Sequence, residues 1–107
     1  MNMSEVKILR LTSGEELIGK VTQSEEYAYN IKKPYILIPM GEGRIGFAPY
    51  MPYTKAEDGI EIPYIHVMFA LQPMLEMENQ YTSAISGLVT APAGMGKILG
   101  AGLKLSE

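Results

Sequence analysis

The sequence has no cysteine, one histidine and one aspartate among its 107 residues. The absence of cysteine excludes disulfide scaffolds, thiolate zinc sites and thiol nucleophiles. A Ser–His–acid triad would have to use His66 with serines that carry no elbow motif around them. A single histidine without cysteine also offers little to a metal ion. We therefore expect no enzyme activity, no metal site and no cofactor.

Net positive charge and long apolar runs are also missing. Nine basic and twelve acidic side chains give a formal charge of −3, so no global positive field is available to hold a polyanion. The chain has no run of 18 apolar residues and no basic start followed by an apolar segment. The sequence therefore predicts neither a transmembrane helix nor a signal peptide, and we expect a small soluble cytoplasmic domain.

Five segments carry the alternation or the β-branched and aromatic content of strands. The predicted strands are Val6–Leu11, Leu17–Thr22, Tyr29–Lys33 continued by Tyr35–Ile38 after an interruption at Pro34, Ile45–Met51, and Tyr64–Leu71. Pro49 is expected to confine the fourth strand to an edge, because proline cannot donate to a ladder. Short turns between the strands predict a small antiparallel barrel or sandwich.

The hydrophobic period changes after Gln72. Apolar residues recur at three- and four-residue spacing from Met74 to Leu88, which predicts one amphipathic helix that begins near Pro73 and ends before Pro92. We expect residues 1–90 to form one domain and residues 91–107 to form a glycine-rich tail. The tail packs on the domain, binds a partner or stays loose; its sequence leaves these three alternatives open. Its Gly94–Lys97 stretch lacks the spacing of a phosphate-binding loop.

The most distinctive constellation surrounds the first predicted turn. Gly14 and Gly19 lie five residues apart around the second strand, Glu25 follows six residues later, and Tyr27 comes two residues after it. This spacing resembles the first motif of the Sm-like family, which includes LSm proteins and bacterial Hfq. In that family an aspartate holds the place of Glu25, and Hfq-type members carry an aromatic residue at the place of Tyr27.

A second stretch is similar to the Tyr-Lys-His…Pro segment of Hfq. Tyr64 and His66 match its ends, Pro73 follows at the family's spacing, and Ile65 stands where the family has a lysine. The two resemblances cover roughly residues 6–73. A helix after the last strand, in place of the family's N-terminal helix, is typical of divergent, phage-type Sm-like proteins.

The resemblance implies a mainly β fold: a strongly bent five-stranded antiparallel sheet, a small barrel, followed by a C-terminal α-helix. It further implies a homo-oligomeric ring in which Ile45–Met51 of one subunit pairs with Tyr64–Leu71 of the next. Such rings bind single-stranded RNA around a pore, where bases stack on aromatic side chains. The candidate RNA-binding residues, with Tyr27 as the stacking residue and His66 as a second contact, are Tyr27, His66, Asn30, Tyr64, Glu26, Lys32 and Lys33.

A second hypothesis is a non-catalytic scaffold that has the Sm-like fold without RNA binding. The net negative charge, the missing cation at Ile65 and the apolar tail favour it. A tyrosine at a turn is often a packing residue with a wet hydroxyl, and a pair such as Lys32–Lys33 is usually solvated surface. Both hypotheses stay open at this point.

Overall fold

A computed structural model describes residues 4–24 and 26–86 of the chain. The described part is mainly β, with a helix after the last strand, as predicted. Its strands are β1 (Glu5–Leu11), β2 (Glu16–Gln23), β3 (Ala28–Gly41), β4 (Arg44–Pro49), β5 (Ile60–Pro63) and β6 (Val67–Leu71). Two 3₁₀ turns cover Ala56–Asp58 and Tyr64–His66, and helix α1 covers Leu75–Ser86.

The strands form one antiparallel sheet in the order β4-β3-β2-β1-β6, with β5 paired to the first half of β3. The prediction of a closed barrel is wrong, because β4 and β6 end this path without meeting each other in the described chain. The prediction that Pro49 belongs to an edge strand is confirmed. The sheet is therefore an open one with two free ends.

A short connection forces this open sheet to curve. β5 lies outside β3 and β6 lies outside β1, so on a flat sheet they would be four strand spacings apart, about 19 Å. The chain covers this gap with the Tyr64–His66 turn, in which each residue advances about 2 Å. The two sides of the sheet must approach each other, and Ile62 of β5 indeed packs with Leu9 and Leu11 of β1 in one buried cluster.

A bulge between β2 and β3 replaces the interruption predicted at Pro34. β3 runs continuously through this proline, but its pairing with β2 shifts register between Ile18 and Lys20. Lys33 takes a left-handed φ of 51° there, a conformation that is uncommon outside glycine. Because the extra residue of a bulge makes no ladder contact, the missing N–H of Pro34 costs little at this place.

Helix α1 covers the opposite face of β2. Leu17 belongs to the cluster around Leu9, whereas Ile18, its neighbour in the strand, packs with Leu37 and the fully buried Tyr81 of α1. The Tyr81 hydroxyl donates a hydrogen bond to the carbonyl oxygen of Lys33 at 2.8 Å. Burial is the main cause of the raised pKa of Tyr81. The helix is therefore joined to the sheet at the bulge.

Several element bounds differ from the sequence prediction. The fourth strand ends at Pro49 rather than Met51, and the last strand begins at Val67 because the preceding three residues form a 3₁₀ turn. The short strand β5 was not predicted, since its four residues, the last of which is Pro63, give too brief a pattern. Glu25, the predicted end of the helix before Pro92 and the predicted tail lie outside the described residues.

Replacement of Gly19 by alanine should destabilise the fold by about 1–3 kcal/mol, because the new methyl group overpacks the bulge. Its Cβ would lie 2.5 Å from Cγ1 of Ile31 and 2.9 Å from the carbonyl oxygen of Lys32. Gly46→Ala is the matched control, since the nearest atom there is the flexible sulfur of Met40 at 2.7 Å. Urea unfolding measures both variants, and equal stability losses would contradict the prediction.

Candidate nucleic-acid interface

Tyr27 lies in the turn between β2 and β3. The Ser24 hydroxyl accepts hydrogen bonds from the backbone N–H of Tyr27 at 3.1 Å and of Ala28 at 2.9 Å, which fixes the entry into β3. The Tyr27 side chain is 53% exposed, and its hydroxyl donates to Oε2 of Glu61 on β5 at 3.1 Å. This hydrogen bond to a carboxylate is the main cause of the raised pKa of Tyr27. The ring therefore stands at the surface with its hydroxyl engaged.

Tyr64 lies beside Tyr27 but belongs to the connection between β5 and β6. It opens the 3₁₀ turn before β6, and its backbone N–H donates to the carbonyl oxygen of Tyr27 at 2.8 Å. Its hydroxyl donates to the carbonyl oxygen of Ser24. Its ring meets the ring of Tyr29 edge to face at 4.9 Å between centroids. Tyr64 is thus half-buried and held on three sides.

His66 closes this 3₁₀ turn and is exposed. Its carbonyl oxygen accepts a hydrogen bond of 2.9 Å from the N–H of Thr12, so the turn is also attached to the loop after β1. The expectation that His66 lies within a strand is wrong, since the strand begins one residue later. Tyr64 and His66 thus share one turn, and the backbone hydrogen bond between Tyr64 and Tyr27 joins it to the β2–β3 turn. We call Tyr27, Tyr64 and His66 the turn cluster.

Asn30 and Glu26 lie close to the turn cluster but differ from each other. Asn30 is half-buried in β3, where it pairs with Glu61, and a Cβ on Gly59 would lie only 3.2 Å from its Oδ1. The Asn30 side chain therefore lies against Gly59, in the loop that precedes β5. Glu26 is exposed in the same turn as Tyr27. With Glu61 it gives this surface an acidic rather than a basic border.

Lys32 and Lys33 belong to another part of the molecule. Lys32 pairs with Lys20 across the sheet, and Lys33 occupies the bulge, where its ammonium lies 3.5 Å from Oε2 of Glu57. The carbonyl oxygens of both accept the Tyr81 hydroxyl, so these residues border helix α1. The structure does not bring these lysines to the turn cluster.

Two residues that contribute to this surface, Glu61 and Tyr29, were not predicted from the sequence. Glu61 was not considered because the strand that carries it was not predicted, and the ring contact of Tyr29 depends on the turn that replaces the start of the last strand. The alternation Ile60–Glu61–Ile62 was the available signal for β5. It is too short to distinguish a strand from a loop without knowledge of its partner.

The described residues offer no cluster of three or more histidine, aspartate and glutamate side chains that would hold a metal ion. In the same part of the chain, no helix has both the length and the apolar character needed to cross a membrane.

Neither a comparison with protein-family models nor a search of curated proteins finds a match for this chain. The Sm-like resemblance therefore rests on the spacing of Gly14, Gly19 and Tyr27 and on the Tyr64–His66 segment.

Replacement of Glu61 by glutamine should lower the pKa of Tyr27 towards its ordinary value, because the carboxylate that disfavours the tyrosinate is removed. Carbon NMR of tyrosine-labelled protein, titrated at high pH, follows the Tyr27 resonance. Glu42→Gln, in the exposed β3–β4 hairpin, is the control and should leave that resonance unchanged. An unaltered Tyr27 titration in the Glu61 variant would show that the contact is absent in solution.

Proposed function

We propose that this chain is a Sm-like subunit that assembles into a homo-oligomeric ring and binds single-stranded RNA in the cytoplasm. The observation that carries the proposal is the identity of the two strands at the ends of the sheet. They are β4 and β6, and the resemblance pairs these same two regions between neighbouring subunits. An unpaired strand edge is a template for another strand, and closure into a ring removes it.

The exposed side chains of β6 support assembly. Met68 and Phe69 are each 53% exposed and Leu71 is 62% exposed, so the last strand presents an apolar surface at a free edge. Several exposed large apolar side chains on one short strand at a sheet edge are typical of an interaction site. A neighbouring subunit on this edge would remove these side chains from water.

The turn cluster is well placed for RNA in such an assembly. Tyr64 and His66 immediately precede the β6 edge, so a ring would repeat the cluster beside each subunit contact. Base stacking on an aromatic ring is worth about 1–3 kcal/mol per base and needs no particular sequence. Repetition of a weak contact around one assembly then raises the overall affinity.

The scaffold hypothesis is the second candidate, and the contact between Tyr27 and Glu61 favours it. A carboxylate beside the stacking ring repels phosphate, and five to seven subunits would together carry roughly −15 to −21. In this candidate the ring forms in the same way but presents its surface to proteins rather than to RNA.

Phe69→Lys should break the assembly, because it places a charge on the apolar edge of β6. Tyr53→Lys is the matched control, since Tyr53 is an 82% exposed aromatic residue outside the strands. Light scattering should give a multi-subunit mass for the wild type and the control, and a smaller mass for Phe69→Lys. A monomeric wild type at micromolar concentration would overturn the proposed ring.

Tyr27→Ala and His66→Ala should weaken binding to a single-stranded oligonucleotide, the tyrosine variant by about tenfold through the loss of one stacked base. U-rich and A-rich RNA are titrated at low and moderate salt, with Tyr53→Ala as the control for an exposed tyrosine elsewhere. Each variant's mass is checked by light scattering. An intact oligomer without affinity for either RNA at low salt would reject RNA binding and leave the scaffold.

A further inference from the structure

A cavity of about 400 Å³ opens between the bulge in β3, the end of β4, the loop that follows β4 and the end of helix α1. This volume is within the range of small-ligand pockets. The cavity is separate from the turn cluster, since none of Tyr27, Tyr64 and His66 lines it. Its existence does not depend on the proposed ring or on RNA.

The walls of this cavity suit a flat ring. Tyr35 and Tyr50 line it together with Pro34, Pro49 and Pro52, so rings contribute much of its apolar surface. Rigid aromatic and proline rings lose little conformational freedom when they bind a planar group.

Polar groups occupy one side of the cavity. Lys33 and Glu57 both line it and form an ion pair with 3.5 Å between Nζ and Oε2. The Glu57 side chain is 75% exposed, and ion pairs of this exposed kind are weak. An anionic group on a ligand can therefore replace Glu57 beside the lysine at small cost.

The tyrosine hydroxyls remain proton donors at neutral pH. Burial raises the pKa of Tyr35, with Glu57 as a further cause, and burial raises the pKa of Tyr50, with Glu15 as a further cause. The Tyr50 hydroxyl donates to Oε1 of Glu15 at 3.2 Å, which orients its ring. The Tyr50 hydroxyl is thus engaged by Glu15, and Tyr50 contributes its ring rather than a free donor to the cavity.

The backbone around the cavity is strained at two places. Lys33 has a φ of 51° and Met51, between Tyr50 and Pro52, has a φ of 50°. Left-handed conformations of residues other than glycine persist where the surroundings enforce them, and they cluster at ligand-binding sites. The strain at Lys33 holds the residue that carries the cation.

We propose that this cavity binds a small molecule made of one planar aromatic ring and one anionic group, with the ring between the tyrosine and proline side chains and the anion on Lys33. Two sources share this chemistry: a nucleoside monophosphate, whose anion is a phosphate, and an aromatic carboxylic acid. The ring supplies the apolar contact and the anion takes the place of Glu57 at the ammonium.

Calorimetric titration of the full chain with adenosine 5′-monophosphate and with 4-hydroxybenzoate tests the proposal and distinguishes the two sources. Binding of either supports it. Adenosine has the ring without the anion, and inorganic phosphate has the anion without the ring. If the nucleoside monophosphate is the ligand, each of these probes should bind at least about tenfold more weakly than adenosine 5′-monophosphate. Absence of binding by both anions, or equal binding of inorganic phosphate and the monophosphate, would overturn the proposal.

Charge variants separate a ligand contact from a structural effect. Lys33→Gln should weaken binding by about tenfold, whereas Glu57→Gln should strengthen it because the competing carboxylate is lost. Lys55→Gln is the control, since this exposed lysine lies in the same loop as Glu57 and does not line the cavity. Thermal unfolding monitors the fold of each variant. Weakening by both Lys33→Gln and Glu57→Gln, or an effect of Lys55→Gln equal to that of Lys33→Gln, would reject the assigned site.

Discussion

The architecture depends on the bulge where Gly19 faces Lys33 and Pro34. It allows β3 to continue through a proline, because the unpaired residue of a bulge needs no ladder hydrogen bond. It also turns the carbonyl oxygen of Lys33 towards helix α1, where the buried hydroxyl of Tyr81 donates to it. The same irregularity directs the Lys33 ammonium to Glu57 and forms one side of the cavity. One local break in register thus supports the continuity of β3, the attachment of the helix and one side of a pocket.

The open sheet raises the question of how its edges are satisfied. Many proteins protect free edges with charged side chains, prolines or short strands. β4 carries Pro49 and the ion-paired Arg44, whereas β6 exposes Phe69 and Leu71. This asymmetry fits two complementary edges better than two protected ones, because a protected sheet would have polar groups at both ends. The proposed self-association would satisfy the two edges that the sheet leaves open within one chain.

The sequence predicted the order of the elements better than their contacts. Alternation located most strands and the period change located the helix, because these signals are local. β5 was missed because four residues give almost no period, and its absence concealed the contact of Glu61 with Tyr27. Lys33 was grouped with the RNA-binding residues as a cation that could reach phosphates. The bulge and its left-handed φ place it near α1 instead, and register of this kind is not encoded in local pattern.

The separation of aromatic and cationic groups constrains the proposed binding of RNA. Phosphate contacts release counterions and make affinity fall steeply with salt, so they require clustered lysine or arginine. The turn cluster instead has Glu26 and Glu61 at its border, and Lys33 is engaged by Glu57 at the bulge. The proposed recognition of RNA at Tyr27 would therefore depend on stacking and on hydrogen bonds to bases, with little help from phosphate contacts. Such contacts are individually weak, so the proposed RNA binding would require the proposed assembly, in which several equivalent sites hold unpaired bases at once.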